Sequence, residues 1–246
     1  MSNTIAPTVV VVGGSSGLGK VVAQRYAKDG YRVAIVSRNN PVFIHESDNL
    51  YHYPSDLTAM TSDSASQLAT RIVDTLGKIT YVVFCQRYRG NQRNMTNEMN
   101  VTITSTDLII QAFRKNFVTT GDRAIAAVGS VYADFVGSSQ PLSYHVVKAG
   151  LNALVRFYAV ELGKDGIRVN SISPLTYLKD ESRHVYTNNP SIMEKYRRII
   201  PLGRMPDASE CADTLLYLCS SQASFINGQV LYVDGGLSSV WPEELT

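Results

Sequence analysis

Five consecutive β-branched residues, Thr8-Val9-Val10-Val11-Val12, run directly into a glycine-rich stretch, Gly13-Gly14-Ser15-Ser16-Gly17-Leu18-Gly19. A strand with no polar face has to be covered on both sides, which is the situation of a parallel sheet between two helical layers. Parallel strands need helical crossovers, so the remaining sequence should alternate between the two periods. It does. Helical spacing is expected over residues 20–29, 66–76, 107–116, 144–162 and 208–219, with Gly30 at the position of a helix-ending glycine. Extended segments are expected at Arg32–Ser37 and over residues 80–85, 124–130, 167–172 and 229–233. The stretch from Arg38 to Asp56, broken by Pro41, leaves little room for a full helix between the second and third strands.

This pattern predicts an α/β fold, a doubly wound parallel sheet of about seven strands flanked by helices. With 246 residues and no linker-like segment, the chain reads as a single domain. A net charge of +2 gives no field for nucleic acid or an acidic membrane, and the longest apolar run is far short of a membrane span. Cys85, Cys211 and Cys219 have no metal-ligand spacing. Their odd number, with no signal peptide in view, leads us to expect a reducing, cytoplasmic setting.

Two motifs carry chemistry. The glycines after Val12 permit positive φ and a close backbone approach to a pyrophosphate. The helix that follows offers free N–H groups to the anion. The spacing is Gly13-x-x-x-Gly17-x-Gly19, not the common G-x-G-x-x-G. The second motif is Tyr144-His145-Val146-Val147-Lys148, which sets a phenol and an ammonium one turn apart on one helix face. Free tyrosine titrates near pH ~10, and bringing it towards ~7 takes about 4 kcal/mol of preferential phenolate stabilisation. A neighbouring cation acts in that direction. His145 lies one step round the helix and is expected to pack or sit at an interface.

Together these motifs resemble the short-chain dehydrogenase/reductase family, and the resemblance runs the length of the chain. Asp56-Leu57 is similar to the family's acidic dipeptide beside the adenine ring, and Asn100-Val101 to its mid-chain asparagine motif. Gly129-Ser130 matches the end of its fifth strand. Gly166-Ile167-Arg168-Val169-Asn170, Pro201-Leu202-Gly203-Arg204 and Val233-Asp234-Gly235-Gly236 resemble its C-terminal landmarks. The resemblance implies a Rossmann-like domain over residues 1–246 with a substrate lid at about 175–200. It implies a catalytic tetrad of Asn100, Ser130, Tyr144 and Lys148. Cofactor contacts are expected at Gly13, Ser15, Ser16, Gly17, Leu18, Gly19, Ser37, Arg38, Asn39, Asp56, Leu57, Tyr144, Lys148 and Pro174. No metal is expected, and a homotetramer or homodimer is.

The second strand ends in Ser37-Arg38, where NAD-using relatives carry an aspartate. An arginine there can grip the 2′-phosphate of NADP bidentately, so NADP(H) is the expected cofactor and NAD(H) the alternative. The resulting expectation is a specialised ketoreductase that interconverts a ketone and a secondary alcohol, with Tyr144 as general acid/base. A 3-oxoacyl-thioester reductase is the alternative within that class. A nucleotide-binding regulatory protein and a nonredox lyase or isomerase are the alternatives outside it.

Four departures from the family pattern bear on substrate. Phe84-Cys85-Gln86-Arg87 replaces Asn-Asn-Ala-Gly, Val12 replaces a threonine, Leu175 replaces a glycine and Lys179 stands where a threonine often meets the cofactor. Arg87, Arg89 and Arg93, with Arg183, His184, Tyr186, Arg197 and Arg198 of the lid segment, suggest a mouth for an anionic or polar substrate.

Overall fold

The computed structural model describes residues 6–90 and 94–244. The seven strands are β1 (Thr8–Val12), β2 (Arg32–Ser37), β3 (Leu50–Pro54), β4 (Ile79–Phe84), β5 (Ala124–Val128), β6 (Arg168–Pro174) and β7 (Val230–Val233). They form one sheet in the order β3-β2-β1-β4-β5-β6-β7, and every neighbouring pair is parallel. The helices are α1 (Gly17–Lys28), α2 (Ser62–Leu76), α3 (Met95–Met99), α4 (Ser105–Phe113), α5 (Leu142–Gly163), α6 (Arg183–Thr187), α7 (Pro190–Ile199) and α8 (Ala208–Cys219).

The valine run of β1 explains the layering. Val10 and Val12 join residues of α2, α4 and α5 in one apolar cluster, and Val9 and Val11 join α1 and α8 in the other. All four valines are completely buried. Each such burial stabilises the fold by roughly 2 kcal/mol. A polar residue at any of these positions would be buried against one helical layer or the other.

The order reverses between β1 and β4, so the connections leaving their carboxyl ends turn to opposite sides. That is the crevice where open α/β sheets bind ligands. Between β2 and β3 there is only a 3-10 turn, Val42–Glu46, entered through Pro41.

Most expected elements shift by one to four residues at an end, and two of the differences bear on the site. The helix expected over residues 107–116 starts at Met95 and continues through a wider π turn, Asn100–Thr104, into α4. The run Thr102-Ile103-Thr104-Ser105-Thr106 does not look helical, because β-branched and hydroxyl side chains disfavour helix interiors. Here the hydroxyls bond back along the helix, Ser105 Oγ to the Val101 carbonyl at 2.8 Å and Thr106 Oγ1 to that of Thr102 at 2.7 Å. The strand expected to reach residue 130 ends at Val128. The Ser130 hydroxyl instead accepts the Tyr132 N–H and opens a 3-10 turn, Val131–Ala133. Among the described residues no helix is long and apolar enough to cross a membrane.

Candidate active site

The carboxyl ends of β1, β4, β5 and β6 converge on a cavity of about 520 Å³. After β1 it is walled by Ser16 and Leu18 of the glycine-rich turn. Gly13 has φ +77°, and a Cβ there would lie 2.6 Å from the Gln86 Cα and backbone nitrogen. Gly19 is equally constrained, since its Cβ would lie 2.3 Å from the Gly13 carbonyl oxygen. Only bare backbone lets the end of β4, the turn and the first turn of α1 pack this closely. Gln86 is locked from behind by its amide, which donates to Thr106 Oγ1 at 2.8 Å.

The turn already holds a carboxylate. The Gly17 N–H donates to Glu181 Oε1 at 2.9 Å, across 164 residues of sequence. Burial opposes ionisation of Glu181, but the Gly17 N–H and the nearby Lys20 and Arg89 cations outweigh it and hold the carboxyl below its ordinary range. An anion therefore fits this α1 N-terminus. Arg89 reaches Ser16 Oγ at 3.3 Å from the other side.

Tyr144, Lys148 and Ser130 line the same cavity. All three are buried. Lys148 Nζ lies 5.7 Å from the centre of the Tyr144 ring and donates to the Val128 carbonyl at 2.6 Å. Burial lowers the pKa of this ammonium, the facing Tyr144 opposes that effect and the Arg87 cation reinforces it. Of the serines nearby, Ser138, Ser139 and Ser143 are not on the cavity wall, and Ser139 is engaged by the Tyr132 hydroxyl at 2.6 Å.

Asn100 stands apart from that wall. Its side-chain amide donates to the Thr58 carbonyl at 3.0 Å, and its own carbonyl accepts the Ser105 N–H of the π turn. Asp56 caps the short turn containing Thr58. Its bond from the Thr58 N–H, aided by the Thr58 hydroxyl and the Arg38 cation, lowers its pKa. Leu57 points into the apolar core. Ser37 is buried and its hydroxyl donates to the Asn39 carbonyl at 2.9 Å, with His52 Nε2 3.1 Å away. Arg38 and Asn39 are exposed at the crevice end of β2. Pro174 and Leu175 line the cavity, as do Ser16 and Leu18.

The expected basic mouth is only partly assembled. Arg87 and Arg89 are on the cavity wall and Arg93 lies outside the described residues. Arg183 is drawn off by Asp207 at 2.5 Å and Arg197 by Glu194 at 2.7 Å, so neither belongs to the mouth. Of the expected lid residues only Tyr186 is on the wall, and His184, Arg197 and Arg198 are not; Tyr177, Lys179, Lys195 and Tyr196 of the same segment join it there. Three contacts have no signal in the sequence. These are Glu181 on Gly17, Gln86 against Gly13, and the Arg87 guanidinium 4.8 Å above the Tyr144 ring. Each joins positions that no local spacing relates.

The family described as Enoyl-(Acyl carrier protein) reductase matches residues 12–238. The chain is 30% identical over 236 residues to a 3-oxoacyl-[acyl-carrier-protein] reductase of Rattus norvegicus, covering 92% of this chain and 96% of that protein. It is 28% identical to an L-rhamnose 1-dehydrogenase (NAD(P)(+)) of Azotobacter vinelandii, covering 95% and 97%. Among solved structures, a short-chain type dehydrogenase/reductase from Mycobacterium ulcerans superposes with a TM-score of 0.83 at 26% identity, covering 94% of this chain and 89% of that one.

Proposed function

The chain belongs to the short-chain dehydrogenase/reductase family, and from that premise we propose that it is an NADP(H)-dependent ketoreductase whose proton donor is Tyr144. The observation that carries this reading is the placement of Tyr144, Lys148 and Ser130 on one cavity that continues to the Gly17 anion site. A nicotinamide cofactor, when bound, would supply the hydride equivalent for such a reduction. The chain's own residues then manage the oxygen. The Ser130 hydroxyl donates to it as negative charge develops. Tyr144 passes its proton to that oxygen, and the phenolate left behind faces the Lys148 ammonium and the Arg87 guanidinium. Asn100, in a π turn packed against α5, is assigned the task of holding the water that returns a proton to Lys148.

Arg38 is assigned to the 2′-phosphate of NADP, with no acid at Ser37 to repel it. Affinities for NADPH and NADH before and after Arg38→Ala test this. We expect NADPH binding to weaken by about tenfold or more, as for a charge-assisted hydrogen bond, and NADH binding to change little. Equal affinities in the parent enzyme would rule the assignment out.

Glu181 and a cofactor phosphate compete for one N–H, so dinucleotide binding is expected to displace the segment that carries this residue. Glu181→Gln removes the charge that holds it there. NADPH is expected to bind the variant several-fold more tightly in a fluorescence titration. Unchanged or weaker binding would show that the contact does not compete.

A 3-oxoacyl thioester is the second candidate substrate, favoured by the named activity of the rat relative. The rebuilt Phe84–Arg87 loop favours a specialised polar ketone instead. A ketone panel followed by NADPH oxidation separates the two.

A further inference from the structure

Cations crowd the cavity wall with little negative charge to balance them. Away from the cavity, Arg25, Arg114, Arg183, Arg197 and Arg204 each lie against a carboxylate. The cavity wall carries five cationic side chains, Arg87, Arg89, Lys148, Lys179 and Lys195, and one carboxylate, Asp234, with Glu181 nearby on the Gly17 N–H as a second negative group. Asp234 is occupied by two backbone N–H groups, those of Gly236 at 3.0 Å and Ser238 at 2.8 Å. Among the described residues none of the five cations forms an ion pair. Burial and the neighbouring Arg89 and Arg87 cations lower the Lys179 pKa, as expected where like charges crowd.

A dinucleotide accounts for part of this charge but not all of it. Arg89 bonds Ser16, and Lys179 lies beside Gly17, where a Cβ would meet its Cδ at 3.3 Å. Both flank the phosphate turn. Arg87 does not. Its guanidinium carbon is 4.8 Å from the centre of the Tyr144 ring, and Nη2 donates to Gln140 Oε1 at 2.8 Å. Its Nε is buried and has no hydrogen-bond partner. A guanidinium has five N–H donors in a planar fork that matches a carboxylate, and stacking on the ring pre-orients that fork.

We propose that the substrate is an oxo acid whose carboxylate binds Arg87 while Tyr144 serves its carbonyl oxygen. This deepens the ketoreductase reading and rests on it for the role of Tyr144. Because Arg87 is stacked on the proton donor itself, the carboxylate must lie within a few bonds of the carbonyl.

The test compares 2-oxobutanoate, 3-oxobutanoate and 3-oxohexanoate with their methyl esters. Binding to the enzyme–NADP complex is measured by calorimetry, and turnover separately by NADPH oxidation. At least one acid is expected to bind about tenfold or more tightly than its ester, the size of one charge-assisted pair. Arg87→Gln should bring the acid-to-ester ratio to about one, and Arg87→Lys should keep part of the preference. No preference in the parent enzyme, or a preference that survives Arg87→Gln, overturns the proposal. The parent's acid-to-ester ratio needs no variant to fold. Preferential acid binding without NADPH oxidation would retain the carboxylate site and defeat the ketoreductase reading. Ester reduction with no acid preference would do the reverse.

Discussion

Replacing Tyr144 with phenylalanine is expected to lower kcat for ketone reduction by a factor of about 10²–10⁴, the range for losing a positioned general acid, with dinucleotide affinity within about twofold of the parent. The substitution removes one hydroxyl and keeps the ring. The Tyr132 edge contact, with ring centres 6.3 Å apart, and the Arg87 and Lys148 cations over the face can therefore persist. A fall confined to KM would mean that the hydroxyl only binds substrate. A variant that kept more than about a tenth of the parent rate would remove Tyr144 from the chemistry altogether. Steady-state kinetics at saturating NADPH, paired with a dinucleotide titration, read both quantities.

The second large effect is expected at Gly13. Gly13→Ala places a methyl group 2.6 Å from the backbone of Gln86, in a residue at φ +77°. Neither partner can give way easily. The Gly13 N–H is bonded to the Val36 carbonyl at 2.8 Å, the preceding Cys85 N–H to that of Val12 at 2.8 Å, and the Gln86 side chain to Thr106. The left-handed backbone costs about 1–2 kcal/mol for an alanine and the overpacking about 1–3 kcal/mol more. A loss of several kcal/mol should lower Tm clearly, and the displaced turn should abolish dinucleotide binding at concentrations that saturate the parent. A variant that melts with the parent and binds NADPH normally would show that the close approach of β4 to the turn is not needed.

The layered sheet is legible in the chain because its cause is local. Val9–Val12 face two helical layers alternately, and a run without polar positions is by itself enough to require both. The Tyr144–Lys148 pair is equally legible, since helix geometry alone puts those two side chains on one face. The helix at Met95 is not, because its hydroxyl-rich turn has poor helix propensity, its hydroxyls being satisfied on carbonyls one turn back, and long-range packing of Val101, Ile109 and Phe113 holds it. The basic mouth misleads for a related reason. Arg183 and Arg197 look like the cavity arginines in composition, and only the positions of Asp207 and Glu194 show that they are engaged elsewhere. Glu181 on the Gly17 N–H leaves no trace in the sequence at all, as nothing in its neighbourhood marks it as reaching the phosphate turn.

The central claim is that this cavity moves a hydride between a dinucleotide and a carbonyl carbon while Tyr144 moves the proton. The most direct measurement is mass spectrometry of the product formed from a ketone substrate and a reduced nicotinamide cofactor carrying deuterium at both C4 positions. The account predicts one deuterium on the carbinol carbon, in product formed by the parent enzyme and lost with Tyr144→Phe. Product that contains no deuterium would contradict it and point to nonredox chemistry on the same fold.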